Sequence, residues 1–123
     1  MELVFQSEEL EEQCTVLREA QKRFGGNKAL ALSLLSRINA LYAADCLKDI
    51  VVQPVFHFHN LGARNGKNLT GYFAVDVRTR RDPWRILLQP LDENRNPFVP
   101  CRIDEISHIV KTVKIMEVSK HYE

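Results

Sequence analysis

Basic side chains are concentrated in the middle of this 123-residue sequence. Residues 51–102 hold eight Lys/Arg against four Asp/Glu, a net charge of +4, whereas the whole chain has a net charge of +1. The cations of interest are Arg64, Lys67, Arg78, Arg80, Arg81 and Arg85. A basic centre in a nearly neutral chain indicates a local anion-binding site. Phosphate is a natural partner, because the donor fork of arginine matches phosphate oxygens.

Arg85 differs from the other cations because it lies in the otherwise apolar run "WRILLQP". A guanidinium within a strand is costly unless it faces a groove or a partner. Lys67, Arg80 and Arg81 are equally well explained as solvated turn residues. Arg85 is therefore the arginine whose position most needs an explanation.

Histidine and tyrosine could supply proton transfer beside these cations. His57 and His59 are two residues apart, which would place them on the same face of a strand. They predict no metal site, because the sequence nominates no convincing third ligand. His57 and His108 are interpreted as structural. His121 and Tyr122 lie near the end of the sequence, beyond a β-branched run that predicts a strand.

No known catalytic or cofactor motif is present. The sequence lacks a P-loop, G-x-G-x-x-G after a strand, G-x-S-x-G and H-E-x-x-H. We therefore expect no cofactor. Three scattered cysteines argue against disulfides and suit a reducing cytosol. No signal peptide and no apolar run of about 20 residues is seen, which predicts a cytoplasmic protein.

Two helices are expected in the first third of the chain, after a possible short strand in "MELVFQ". Ser7 is a plausible N-cap, and an apolar stripe continues from there at helical spacing to Phe24. Gly25 and Gly26 end this helix, and Asn27 caps a second one that extends to Tyr42.

Strands are expected in the remainder. The strand candidates are "VVQPVFHFHNL", in which Pro54 indicates an edge or a strand start, then "YFAVDV", "WRILLQP" and "TVKIMEVS". "GARNGKNLTG" is interpreted as a loop, and "CRIDEISHIV" as a short helix or a loop insertion. This order predicts one α+β domain over residues 1–123, with two N-terminal helices packed on a mostly antiparallel sheet of about four to five strands.

The order of three segments resembles the HigB branch of the RelE/ParE toxin superfamily. They are "HFHNLGARNGKNLTGYFAVDV", "WRILL" and the closing "KIMEVSKHYE". In that family a basic loop precedes a core strand, an arginine begins the next strand, and a Tyr/His-bearing segment ends the last. The resemblance extends from the helical pair to the tail, with "LDENRNPFVPCRIDEISHIV" as an insertion. It implies a RelE-like fold.

The resemblance implies the toxin of a type II toxin–antitoxin pair, which cleaves mRNA on the ribosome without a metal. By the match of positions, the implied catalytic residues are His59, Arg64, Arg85, His121 and Tyr122. The implied RNA-binding residues are Lys67, Arg78, Arg80 and Arg81. The implied partners are the ribosome with its mRNA and a HigA-like antitoxin with a helix-turn-helix domain.

The C-terminal pair differs from the family pattern. Many relatives have Tyr-His, often after an acidic residue, whereas this sequence has His121-Tyr122 after Lys120. Neighbouring strand residues face opposite ways, so the acid and base stay unassigned, and Tyr122 is as well suited to stacking on a base. Two alternatives stay open: a ParE-like toxin that inhibits DNA gyrase without cleaving nucleic acid, and a degenerate, non-catalytic interaction protein.

Overall fold

Five strands form one mixed sheet in the computed structural model, which describes residues 1–64 and 67–120 apart from the side chains of residues 63, 64 and 67. The strands are β1 (Glu2–Phe5), β2 (His59–Arg64), β3 (Lys67–Asp76), β4 (Arg85–Leu91) and β5 (Thr112–Ser119). Their spatial order is β1-β5-β4-β3-β2. β1 pairs with β5 in parallel, and every other pair is antiparallel. The predicted α+β class is confirmed.

The helical layer comes mainly from the first third of the chain. Its helices are α1 (Glu8–Thr15), α2 (Leu17–Arg23) and α3 (Lys28–Ala43), and the shorter ones are α4 (Lys48–Val51) and α5 (Ile103–Ile106). The predicted caps are confirmed, since Ser7 accepts a hydrogen bond from Leu10 N and Asn27 from Leu30 N, both at 3.1 Å. Within the described ranges, no helix has the length and apolar character to cross a membrane.

The expected single helix from Ser7 to Phe24 is wrong, because it is divided at Val16. This residue has extended backbone angles, φ −112° and ψ 116°. Just before it, the Thr15 hydroxyl donates to Glu11 O at 2.7 Å, a local bond of the kind that competes with helix continuation. The apolar stripe continues across the break, since Leu10, Cys14, Ala20 and Phe24 are all buried.

The helices of the described residues pack on one face of the sheet. Phe73, Val75 and Val77 face this layer, as their alternation predicts, and are fully buried with Leu34 and Ile38 of α3. The amino group of Met1 also ties the start of β1 to the carboxyl end of α3. It donates to the carbonyls of Tyr42 at 2.8 Å and Ala44 at 2.5 Å.

Two expectations for the segment before β3 are wrong. Residues 51–58 are not a strand: α4 is followed by a 3₁₀ turn, Pro54–Phe56, and β2 begins only at His59. "GARNGKNLTG" is not simply a loop, because most of it belongs to β2 and β3. Its glycines are tolerated because the register shifts between Asn60 and Gly62, where Gly62 has a φ of +56°.

The long connection between β4 and β5 packs onto the helical layer. It contains α5, in line with the prediction of a short helix, and Phe98, Ile103 and Ile106 contact the core. Two backbone bonds join it to α4: Leu47 N to Val110 O at 2.9 Å, and Lys48 N to Ser107 O at 3.0 Å. Within residues 1–64 and 67–120, the opposite face of the sheet therefore has no helical cover.

Candidate functional site

A row of polar residues crosses the face of the sheet opposite the helical layer. Asp76 pairs with Arg85 across β3 and β4, and Arg85 pairs with Ser119 across β4 and β5. Residues directly opposite one another in a sheet point to the same face. The row lies at the sheet end where β3 and β5 finish and β4 begins. Distant parts of the sequence therefore meet at one edge of the domain.

Asp76 and Arg85 form a buried ion pair. Their relative exposures are 1% and 3%, and Arg85 Nε lies 3.2 Å from Asp76 Oδ1. Arg85 also donates to three carbonyls of the loop between β3 and β4: Asp82 at 2.6 Å, Trp84 at 2.8 Å and Arg80 at 3.1 Å. The partner that the sequence required for this arginine is thus an aspartate together with the loop carbonyls. The guanidinium fixes the 78–84 loop from inside and does not face solvent.

His57 contacts the same carboxylate oxygen as Arg85. Its Nδ1 lies 2.9 Å from Asp76 Oδ1, and its side chain is 28% exposed. The ring stacks on that of His59, with centroids 4.4 Å apart and an interplanar angle of 28°. His59 Nδ1 donates to the carbonyl of His57 at 2.7 Å, which fixes the orientation of the second ring.

The backbone of His57 is in the left-handed region, with φ 49° and ψ 48°, directly after the 3₁₀ turn. The sequence predicted that the two rings would be neighbours on one face of a strand. They are instead neighbours at the turn that precedes β2. Left-handed backbone is uncommon for a residue other than glycine and persists where surrounding contacts hold it. The sequence analysis interpreted His57 as structural. Its contact with Asp76 could not be inferred from the sequence, because 19 positions separate the two residues.

Arg37 of α3 holds this arrangement together and was not singled out from the sequence. Its guanidinium donates to Asp76 O at 3.1 Å, Arg78 O at 3.0 Å and Val55 O at 3.3 Å. It also lies 5.0 Å from the centroid of the Phe56 ring. One side chain thereby joins the 3₁₀ turn before His57 to the end of β3. A charged residue inside the apolar run "LSLLSRINALY" was the available signal.

The 78–84 loop presents cations to solvent. Arg78, Arg80 and Arg81 are exposed. The nearby carboxylate of Asp82 is occupied within the loop, accepting from Thr79 N at 3.0 Å and Trp84 N at 3.1 Å. The loop therefore offers three arginine side chains to an anion, and its acidic group is held by its own backbone.

Trp84 extends the basic region towards β5. Arg23 lies 4.8 Å from the centroid of its ring and Lys120 lies 5.5 Å from it. Arg23 also donates to Val118 O at 2.7 Å, and Phe24 meets the ring edge-on at 4.8 Å. The indole thus packs the end of α2 against the end of β5, close to the Arg85–Ser119 pair.

The structure brings together only part of the predicted set. His59, Arg85 and the three loop arginines lie at the same end of the sheet. Arg64 and Lys67 pair at the other end of the β2–β3 hairpin, and their side chains are not described. Arg64 is five residues along β2 from His59, roughly 17 Å at about 3.3 Å per residue. His121 and Tyr122 lie outside the described residues; β5 ends at Ser119, opposite Arg85.

The cavities at this end of the sheet are small: one of about 260 Å³ is lined partly by Arg37 and Arg78, and one of about 230 Å³ partly by Arg23 and Val118. Within residues 1–64 and 67–120, no group of three or more His, Cys, Asp or Glu could hold a metal ion. A cavity of about 740 Å³ lies at the opposite end of β4 and β5, lined partly by Leu91, Phe98 and Thr112. The His57 cluster is a surface site, which suits an extended ligand better than an enclosed small molecule.

Comparisons with protein-family models, with curated proteins and with solved structures found no match.

Proposed function

We propose that this chain is the toxin of a type II toxin–antitoxin pair and cleaves mRNA on the ribosome without a metal. One observation carries the proposal most directly: three exposed arginines lie at the same end of the sheet as a pair of stacked histidines, of which the His57 side chain is 28% exposed. Cations near a group able to move protons are what cleavage of a phosphodiester requires. The resemblance of "HFHNLGARNGKNLTGYFAVDV", "WRILL" and "KIMEVSKHYE" to HigB-like toxins supports the same function, and the α+β fold with a five-stranded mixed sheet is compatible with it.

In this proposal the 78–84 loop binds the RNA backbone. Arg78, Arg80 and Arg81 would contact phosphates, and such contacts make affinity strongly dependent on salt. Arg64 and Lys67 would contact the RNA farther along, because their hairpin end is a separate point on the sheet. His121 and Tyr122 remain predicted site residues, which would act on the substrate or stack on a base.

The role proposed for Arg85 changes with its burial. By resemblance it would stabilise the phosphorane directly. Its contacts with Asp76 and with the carbonyls of residues 80, 82 and 84 favour a positioning role, in which it shapes the loop that binds the RNA. Its contribution to cleavage would then be indirect.

The proposed partners are the translating ribosome with its mRNA and a HigA-like antitoxin with a helix-turn-helix domain. A cytoplasmic location belongs to the same proposal, since both partners are there. A gene for a small helix-turn-helix protein next to the gene for this chain would support it. Co-expression of that neighbour should restore growth to cells that express this chain.

The proposal is tested by expressing the chain alone in bacteria and mapping the 5′ ends of messages. We expect growth arrest and new 5′ ends within translated regions, which disappear when an inhibitor blocks translation initiation. The matched control replaces Arg78, Arg80 and Arg81 together by alanine. Growth arrest with intact messages and stalled DNA replication would instead favour a gyrase-inhibiting toxin. Normal growth with intact messages would favour a non-catalytic interaction protein.

A further inference from the structure

We propose that Asp76 and His57 form a proton-transfer dyad, in which His57 Nε2 accepts the proton of the attacking ribose hydroxyl. This inference deepens the proposed function and rests on it. It moves the general base from the residues suggested by resemblance to a histidine that the sequence analysis interpreted as structural. Its physical basis is the 2.9 Å contact between Nδ1 and a buried carboxylate.

The carboxylate fixes the tautomer of His57. Asp76 Oδ1 accepts from His57 Nδ1, and Arg85 Nε at 3.2 Å compensates the negative charge of the carboxylate. With its hydrogen on Nδ1, the neutral ring carries its lone pair on Nε2. A buried carboxylate that orients an imidazole in this way also stabilises the imidazolium that forms during proton transfer. Asp76 is therefore a positioning residue and His57 the catalytic one.

The ring is held before any substrate binds. His59 stacks against one face of it, and Arg37 ties Val55 O to the end of β3. These contacts surround His57, whose backbone is left-handed and whose Nδ1 lies 2.9 Å from Asp76 Oδ1. A fixed general base lowers the entropic cost of reaching a reactive geometry. The 28% exposure of the side chain leaves the ring accessible from solvent.

The neighbouring charges suit a phosphodiester as the substrate. Arg78 follows Asp76 by two residues, and with Arg80 and Arg81 it is exposed on the loop that Arg85 fixes from inside. A phosphate held by these arginines would lie at the same sheet end as the exposed part of His57. The histidine therefore sits where a bound RNA strand would pass.

The proposed reaction is a transesterification within the RNA. The 2′-oxygen forms a bond with the adjacent phosphorus as His57 Nε2 takes its proton. The bond from phosphorus to the 5′-oxygen breaks, and this oxygen leaves with the electron pair and takes a proton from water. The imidazolium then returns its proton to the resulting hydroxide. The products are a 2′,3′-cyclic phosphate and a 5′-hydroxyl, and no oxidation or metal is involved.

The test uses His57→Asn. Asparagine tolerates the left-handed backbone, and its side-chain amide can donate to Asp76 in place of Nδ1, but it has no group equivalent to the Nε2 base. We expect the variant to keep its thermal midpoint within a few degrees and to cleave mRNA on purified translating ribosomes at least about 10²-fold more slowly. His108→Asn, at an exposed position distant along the chain, is the matched control and should cleave like the wild type.

The outcomes separate the inference from the function on which it rests. Folded His57→Asn that cleaves within about threefold of the wild type would overturn the dyad and leave the proposed function intact. A wild-type protein that cuts no message would refute the function and the dyad with it. Long-range ¹H–¹⁵N spectra give a readout independent of cleavage: hydrogen on Nδ1 of neutral His57 is expected, and hydrogen on Nε2 would overturn the dyad.

Discussion

Removing the guanidinium of Arg85 is expected to destabilise the fold severely. Arg85→Ala would leave the Asp76 carboxylate buried at 1% exposure with its closest cation removed. It would also remove the donor to the carbonyls of Arg80, Asp82 and Trp84. Breaking a buried ion pair by deleting one partner costs about 3–5 kcal/mol. That is a large part of the roughly 5–15 kcal/mol by which small domains are stable.

The measurement is urea unfolding followed by tryptophan fluorescence, since Trp84 lies in the loop that Arg85 holds. A loss of about 3–5 kcal/mol corresponds to a drop in thermal midpoint on the order of 10–25 °C for a chain of this size. Arg85→Lys should fall between the wild type and Arg85→Ala, because lysine keeps the charge but lacks the planar donor fork. Arg81→Ala is the matched exposed control and should change stability by less than about 0.5 kcal/mol.

A double variant measures how strongly Asp76 and Arg85 depend on each other for stability. Asp76→Ala combined with Arg85→Ala should cost less than the sum of the two single variants, because neither charge is then left buried alone. An Arg85→Ala protein within about 1 kcal/mol of the wild type would refute the reasoning about the pair. If the expected loss is found, reduced toxicity of Arg85→Ala reports lost folding and is not evidence of a catalytic arginine.

Three further predictions concern the loop cations, the alkaline limit and a helix cap. Replacing all three exposed arginines of the 78–84 loop by alanine should weaken single-stranded RNA binding, measured by fluorescence anisotropy. The negative slope of the logarithm of the binding constant against the logarithm of the salt concentration should become shallower by about 2. The control replaces three exposed cations of the helical layer, Arg18, Lys28 and Lys48. Burial raises the pKa of the Cys14 thiol from 9.0 to about 12. Above pH 9 the unfolded chain therefore binds fewer protons than the folded one, and the free energy of unfolding should fall by up to about 1.4 kcal/mol per pH unit. Denaturant unfolding between pH 8 and 10.5 should show a smaller fall in Cys14→Ala than in the wild type. Asn27→Ala should cost about 1 kcal/mol in the same unfolding assay, because it removes the side-chain acceptor for Leu30 N.

The elements with strong local signals were predictable from the sequence. The caps at Ser7 and Asn27, the helix that follows Asn27 and the strand "TVKIMEVS" all agree with the structure. Each depends on contacts within a few residues or on a regular burial pattern, which one sequence shows directly. The prediction of a strand from Val51 was wrong because it rested on valine and phenylalanine enrichment alone: Phe56 enters the core from a 3₁₀ turn, while Val52 and Val55 are exposed.

The candidate site, like the fold, was predictable from the sequence only in part. The sequence by itself established that a basic centre exists and that Arg85 needs a partner, since charge and polarity are properties of the residues alone. Only the tertiary structure decided that the partner is Asp76, that His57 shares this carboxylate, and that the hairpin end with Arg64 and Lys67 is a separate place. These facts depend on strand register and on a left-handed backbone at one residue. Register is set by the packing of the whole sheet, because a shift of one residue would reverse the face that every side chain of a strand occupies.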